Sequence, residues 1–138
     1  MRRLLFIVPL LLSLAGCGEM SPNSKADTLN VTLNAYANAL RWGDFEQALK
    51  YIDADYQKEH PLSSIDQERY KQVRVVSYTE RNPVPSGKNE VDQYVEIGIL
   101  NVNTQTERTV VDHQRWRYDE KSKHWHNTTG LPKITQNP

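Results

Sequence analysis

Cysteine is nearly missing from this 138-residue chain: there is one, Cys17. A lone thiol excludes an internal disulfide, although an exported protein could have used one. An excess of basic charge is missing too. Lysine and arginine together number 17, matched by 17 acidic residues, and a chain without a basic footprint is poorly suited to nucleic acid. Long apolar runs are also absent. The longest, Leu4 to Leu14, falls short of the roughly 20 residues that a membrane-crossing helix needs. No glycine-rich phosphate loop, serine elbow or cysteine–histidine pair occurs, and there is no internal repeat or low-complexity segment.

The front of the chain is informative. Arg2-Arg3 followed by the short apolar run from Leu4 to Leu14 has the charge and length of a secretory signal peptide. Leu14-Ala15-Gly16-Cys17 resembles the lipobox of bacterial lipoproteins. That resemblance implies cleavage between Gly16 and Cys17, acylation of Cys17 (palmitate among the acyl groups), and attachment to a membrane through the lipid. Gly18 in place of aspartate implies, by the same resemblance, an outer-membrane lipoprotein facing the periplasm. The alternative is an ordinary signal peptide whose removal leaves a stray thiol. Cleavage takes Arg2 and Arg3 with it, so 15 basic residues remain against 17 acidic ones, a net charge near −2. Residues 17–26, polar and turn-rich after Cys17, read as a flexible tether. Residues 27–138 read as a single domain.

Periodicity gives an α+β reading of that domain. Asp27 is a candidate N-cap, after which Leu29, Leu33, Tyr36, Ala37 and Leu40 fall on one helical stripe. Gly43 suits a left-handed helix stop. Asp44, with Gln47 three residues on, suits the cap of a second helix carrying Phe45, Ala48, Leu49 and Ile52 on its apolar side. The stretch from Asp53 to His60 is polar, and Pro61 with Ser63-Ser64 opens a third helix ending near Tyr70. From Gln72 the period becomes that of strands, about four of them: 73–80, 91–103, 106–118 and 123–129. The first is closed by the breaker from Asn82 to Gly87.

Strand register follows from the alternation, because a slip of one residue exchanges the two faces. A tight turn at Thr104-Gln105 sets Ile99 opposite Val110, Val95 opposite Gln114, Gln93 opposite Trp116 and Val91 opposite Tyr118. A turn over Asp119 to Ser122 then sets Trp116 opposite Trp125 and Gln114 opposite Asn127. The other face pairs Asp92 with Arg117, Tyr94 with Arg115 and Glu96 with His113, placing His124 beside Arg117 and His126 beside Arg115. One face is apolar and aromatic, and the other pairs acids with bases.

The segments from Tyr36 to Asp53 and from Gln114 to Ile134 resemble the opening helix pair and closing hairpin of nuclear transport factor 2-like domains. The resemblance implies a cone, a curved antiparallel sheet wrapped around helices with a pocket between them, and a homodimer through the sheet as in many members. It spans enzymes such as ketosteroid isomerase and many domains without known chemistry, so it does not fix an activity.

Two constellations stand out. His124 and His126 point the same way on one strand, and the register adds His113. Arg115 and Arg117 among them oppose a bound dication, and zinc asks for three or four ligands in tight geometry, so these histidines are weak metal candidates. On the apolar face, Asp112, Gln114, Asn127 and Gln93 look inward among Trp116 and Trp125, the lining expected of a pocket. A carboxyl there is expensive unless satisfied and is a candidate general base through a raised pKa, which makes Asp112 the best catalytic candidate. The competing and favoured reading has Asp112 near the open rim, hydrated or bonded to a helix terminus. The function expected is a non-enzymatic, lipid-anchored envelope domain that binds a protein partner or a small ligand, without a cofactor and without nucleic acid. The alternatives are a small isomerase or dehydratase using Asp112, and metal binding by the histidines.

Overall fold

The computed structural model describes residues 24–134. Gly16, Cys17 and the signal and lipidation readings attached to them lie outside the described residues. Among the described residues four helices come first: α1 (Lys25–Arg41), α2 (Phe45–Leu49), α3 (Ala54–Glu59) and α4 (Ser64–Tyr70). Five strands follow: β1 (Val73–Glu80), β2 (Val84–Gly87), β3 (Glu90–Asn101), β4 (Glu107–Asp119) and β5 (His124–Asn127). The strands form one antiparallel sheet in the order β1-β3-β4-β5, with β2 added alongside β3. Helices on one face of a curved antiparallel sheet make this an α+β, cone-like architecture.

Helix α1 begins earlier than Asp27. Ser24 is its cap: the hydroxyl accepts from the Asp27 amide at 3.1 Å and donates to the Asp27 carboxylate at 2.6 Å. Asp27 is thus the third residue of the helix, not its cap. The segment from Ser24 to Ala26, expected to end the tether, is therefore part of the fold. Lys25 ion-pairs with Glu120 at 2.6 Å and reaches Asn89 at 2.8 Å, and its carbonyl accepts from the Trp125 indole at 3.0 Å. The stripe of Leu29, Leu33, Tyr36, Ala37 and Leu40 is buried against the sheet, and each leucine so buried contributes roughly 1.5–3 kcal/mol. Gly43 stops the helix with φ +71, and Asp44 caps α2 by accepting from Gln47 at 2.9 Å.

Two elements escaped the periodicity. The polar stretch after Asp53 is helix α3, with Asp53 as its cap; it buries no residue fully, so it carries no apolar stripe to be read. The breaker after Asn82 contains β2, a short edge strand with every residue exposed.

The register differs from expectation by two residues in both hairpins. Gln93 faces Gln114, Val95 faces Asp112, Ile97 faces Val110 and Val91 faces Trp116. In the next hairpin Trp116 faces Asn127 and Tyr118 faces Trp125. Outside, Asp92 opposes Arg115, Tyr94 opposes His113 and Glu96 opposes Val111, while His124 opposes Asp119 and His126 opposes Arg117. A slip of two leaves every side chain on its expected face. Its cause is the turns. Asn101 accepts from the amides of Asn103 and Thr104 through its side chain, and its carbonyl accepts from Gln105, which closes the loop at φ +57. Asp119 does the same for Lys121, Ser122 and Lys123, with Lys123 at φ +58. Asx capping favours these longer loops over two-residue turns.

Residues 128–134 close the domain. Pro132 and Ile134 are fully buried. The Tyr70 hydroxyl donates to the Pro132 carbonyl at 3.0 Å, and Arg108 donates to the Ile134 carbonyl. The turn after α2 pairs with β5, the Asp53 amide on the Asn127 carbonyl and the Asn127 amide on the Tyr51 carbonyl, both at 2.8 Å.

Candidate functional site

The inner face of the sheet carries a row of polar side chains in an aromatic setting. Gln114 is its hub and has no solvent exposure. Its amide nitrogen donates to Asp112 Oδ2 at 2.8 Å and to the Tyr78 hydroxyl at 3.0 Å, while its oxygen accepts from the Trp116 indole at 3.1 Å. These bonds satisfy the carboxamide, which is how a buried polar group is tolerated. Trp116 meets Tyr36 of α1 edge to face, with centroids 5.2 Å apart. Asn127 faces the Tyr36 hydroxyl, but neither its amide nitrogen nor that hydroxyl completes a hydrogen bond. The Asn127 oxygen accepts from the Thr129 amide and hydroxyl, both at 2.8 Å. Gln93, 3% exposed, donates to the Arg81 carbonyl at 3.0 Å, and its own oxygen accepts nothing from the described residues.

Asp112 differs from the rest of the row. Burial pushes its carboxyl up to about 6; the Gln114 hydrogen bond and the nearby His113 act in the opposite sense. Its negative charge in turn adds to burial in raising the phenols of Tyr36, Tyr70 and Tyr78, which surround it from α1, α4 and β1. Oδ1 takes no hydrogen bond from the described residues. The side chain lines a groove of about 480 Å³ with Tyr56, Val110, Leu131 and Lys133. A second groove of about 640 Å³ runs under α2, α3 and α4 and shares Tyr56, Leu131 and Lys133 with the first. Gly130 is required between them. Its φ is +84, and a Cβ there would sit 2.5 Å from the Tyr56 ring.

The predicted pocket residues are therefore brought together but not opened to solvent. Gln93, Gln114, Asn127, Trp116 and Trp125 pack in the core and border neither groove; Asp112 alone does. The histidines are not brought together. His113 stacks on Tyr94 at 4.6 Å and lies 3.4 Å from Asp92, whereas His124 and His126 oppose Asp119 and Arg117. Asp92 is claimed by Arg115 at 2.9 Å, which with His113 holds its carboxyl down to about 2. Among the described residues no group of three histidine, cysteine, aspartate or glutamate side chains could hold a metal ion, and no helix is long and apolar enough to cross a membrane.

Several site residues were missed. Tyr78 follows from β1 alternation and Tyr36 from the α1 stripe, though both look like plain core. Tyr56, Leu131 and Lys133 sit in segments without a period, and nothing in the sequence marks them as groove lining.

No protein-family model matches the chain, and no curated protein matches it in sequence. Among solved structures, the chain is similar to a protein described as a SnoaL-like polyketide cyclase [carbohydrate phosphatase] from Mesorhizobium loti, at 12% identity and a TM-score of 0.41 over 72% of this chain and 97% of that one. It is also similar to a protein from Streptomyces avermitilis described as a dehydratase of the nuclear transport factor 2-like family, at 10% identity and a TM-score of 0.47 over 78% and 93% of the two chains.

Proposed function

We propose that this is an exported envelope domain, anchored by lipid on Cys17, that binds a small ligand in the grooves at the cone mouth and performs no reaction on it. One observation carries the binding part of this reading. Pro132, Ile134, Trp116 and Gln114 are fully buried in the interior, and the two grooves that meet at Tyr56, Leu131 and Lys133 are open ones, lined by β4, the helices and the closing segment. Enclosed chambers suit chemistry that must exclude water; open grooves with a few placed polar groups suit binding. The anchor rests on the lipobox residues Leu14 to Cys17.

The test is native mass spectrometry of the full chain extracted gently from the envelope. A mass excess lost on denaturation identifies the ligand, and a residual excess on the N-terminal peptide identifies the lipid. Bare mass in both states sinks both halves of the reading. Cys17→Ser separates them, moving the chain out of the membrane fraction without altering the ligand excess.

Asp112 supports a second reading, an isomerase- or dehydratase-type enzyme. A carboxyl raised by burial, held at one oxygen by Gln114 and open at the other to a groove, has the placement of a general base. Under that reading Asp112→Asn removes the cellular phenotype while the chain still binds its ligand.

A further inference from the structure

The groove at Asp112 holds a carboxylate that makes no ion-pair contact with the described residues. Charged and titratable groups surround it on every side: Tyr36 from α1, Tyr70 from α4, Tyr78 from β1, His113 on β4, and Tyr56 and Lys133 across the groove. Among the described residues none makes an ion pair with it. Among the described residues the one ion-pair contact of His113 is with Asp92, and Lys133 forms none. A desolvated carboxylate is normally matched by a positive group. Here one oxygen is anchored by Gln114 at 2.8 Å and the other accepts nothing from the described residues. The lining beside it is mixed, with Val110, Leu131 and Tyr56 apolar and Thr128, Thr129 and Lys133 polar. Lys133 is exposed, so solvent screens its charge more than that of the half-buried Asp112.

We propose that this groove takes the ammonium group of a small amphipathic amine, the nitrogen donating to Asp112 and the apolar body lying along Leu131 and Tyr56. This rests on the small-ligand reading given above and names the chemical class of that ligand. A charge-assisted hydrogen bond to a partly buried carboxylate is about twice as strong as a neutral one, so an amine exceeds its uncharged isostere in affinity by about tenfold or more.

The experiment compares benzylamine with benzyl alcohol in protein-observed NMR titrations of the full chain in detergent micelles, following the amides of Thr128, Thr129 and Leu131. Benzylamine is expected to bind at least about tenfold more tightly in the unaltered chain at pH 7.5, with the advantage lost in Asp112→Asn. Should that variant fail to fold, the same loss is read on the unaltered chain as the pH is lowered through 6. Equal binding of amine and alcohol overturns the ammonium assignment and leaves the groove reading standing. Binding of neither probe overturns both.

Discussion

Replacing Asp112 by asparagine removes a charge without changing shape, and its effect on stability can be worked out from the surroundings. In the unfolded chain this carboxyl titrates near 3.8; in the fold, burial pushes it up to about 6. A folded pKa above the unfolded one means that the native state binds the proton more tightly. The carboxylate therefore weakens the fold, fully so above about pH 6, and the penalty fades as pH falls towards 4. At about 1.36 kcal/mol per pH unit of difference the cost approaches 3 kcal/mol; discounted for the solvent that reaches the groove, about 1–2 kcal/mol remains. Asparagine keeps an oxygen to accept from Gln114, so the bond at 2.8 Å survives in neutral form. Urea unfolding of Asp112→Asn at pH 8 is expected to show a gain of about 1–2 kcal/mol at unchanged m, shrinking to nothing near pH 4. A loss of stability at pH 8, or a gain that grows as pH falls, refutes the argument and makes Asp112 a structural partner of Gln114.

Tyr36→Phe deletes a buried hydroxyl that completes no hydrogen bond among the described residues, so urea melts should show no loss and a gain of up to about 1 kcal/mol; a loss above about 1 kcal/mol reveals a bond to Asn127 or another partner at that site. Ile134→Ala empties a fully buried position and is expected to cost about 2–4 kcal/mol by the same assay; a cost under about 1 kcal/mol means that the closing segment is not packed as described. Gly130→Ala meets both the positive φ and the Tyr56 ring, and should lower the melting temperature while changing the amide shifts of Tyr56 and Leu131. Gln105→Gly and Lys123→Gly relieve left-handed backbone at φ +57 and +58, and each should raise stability by about 0.5–1 kcal/mol in thermal melts; a loss from either argues for a different turn.

Face assignment was legible because alternation is conserved under an even slip. Every inward residue named from sequence, Gln93, Val95, Asp112, Gln114, Trp116, Trp125 and Asn127, is on the inner face, although each is paired two places from its expected partner. The pairing itself was not legible, because it depends on loop length. Loop length depends on whether Asn101 and Asp119 turn their side chains onto the following amides. Helix α3 and strand β2 were invisible for another reason: neither buries a stripe, and periodicity records only burial. The start of α1 was legible in principle. Ser24 with Asp27 has the spacing of a capping box, but aspartate is an equally good cap and lies nearer the first buried residue, Leu29.

The candidate site divides along the same line. An inward polar row predicts a pocket only if nothing else enters the cone, and the chain after Asn127 has no period by which its entry could be foreseen. Pro132 and Ile134 fill the centre, so the row behind them works as a hydrogen-bonded core, and Gln114 is satisfied on both of its atoms. Asp112 escapes because it lies opposite Val95 in mid-strand and borders the groove that Leu131 also lines. Gln114 would be equally well served by a neutral acceptor, and the tyrosines around Asp112 are all made harder to ionise by its charge. A carboxylate at this position thus weakens the fold and gives the core nothing that asparagine could not. What it adds lies on its solvent side, a negative oxygen at the edge of a groove of mixed lining. The residue is better explained by what the groove receives than by what the fold requires.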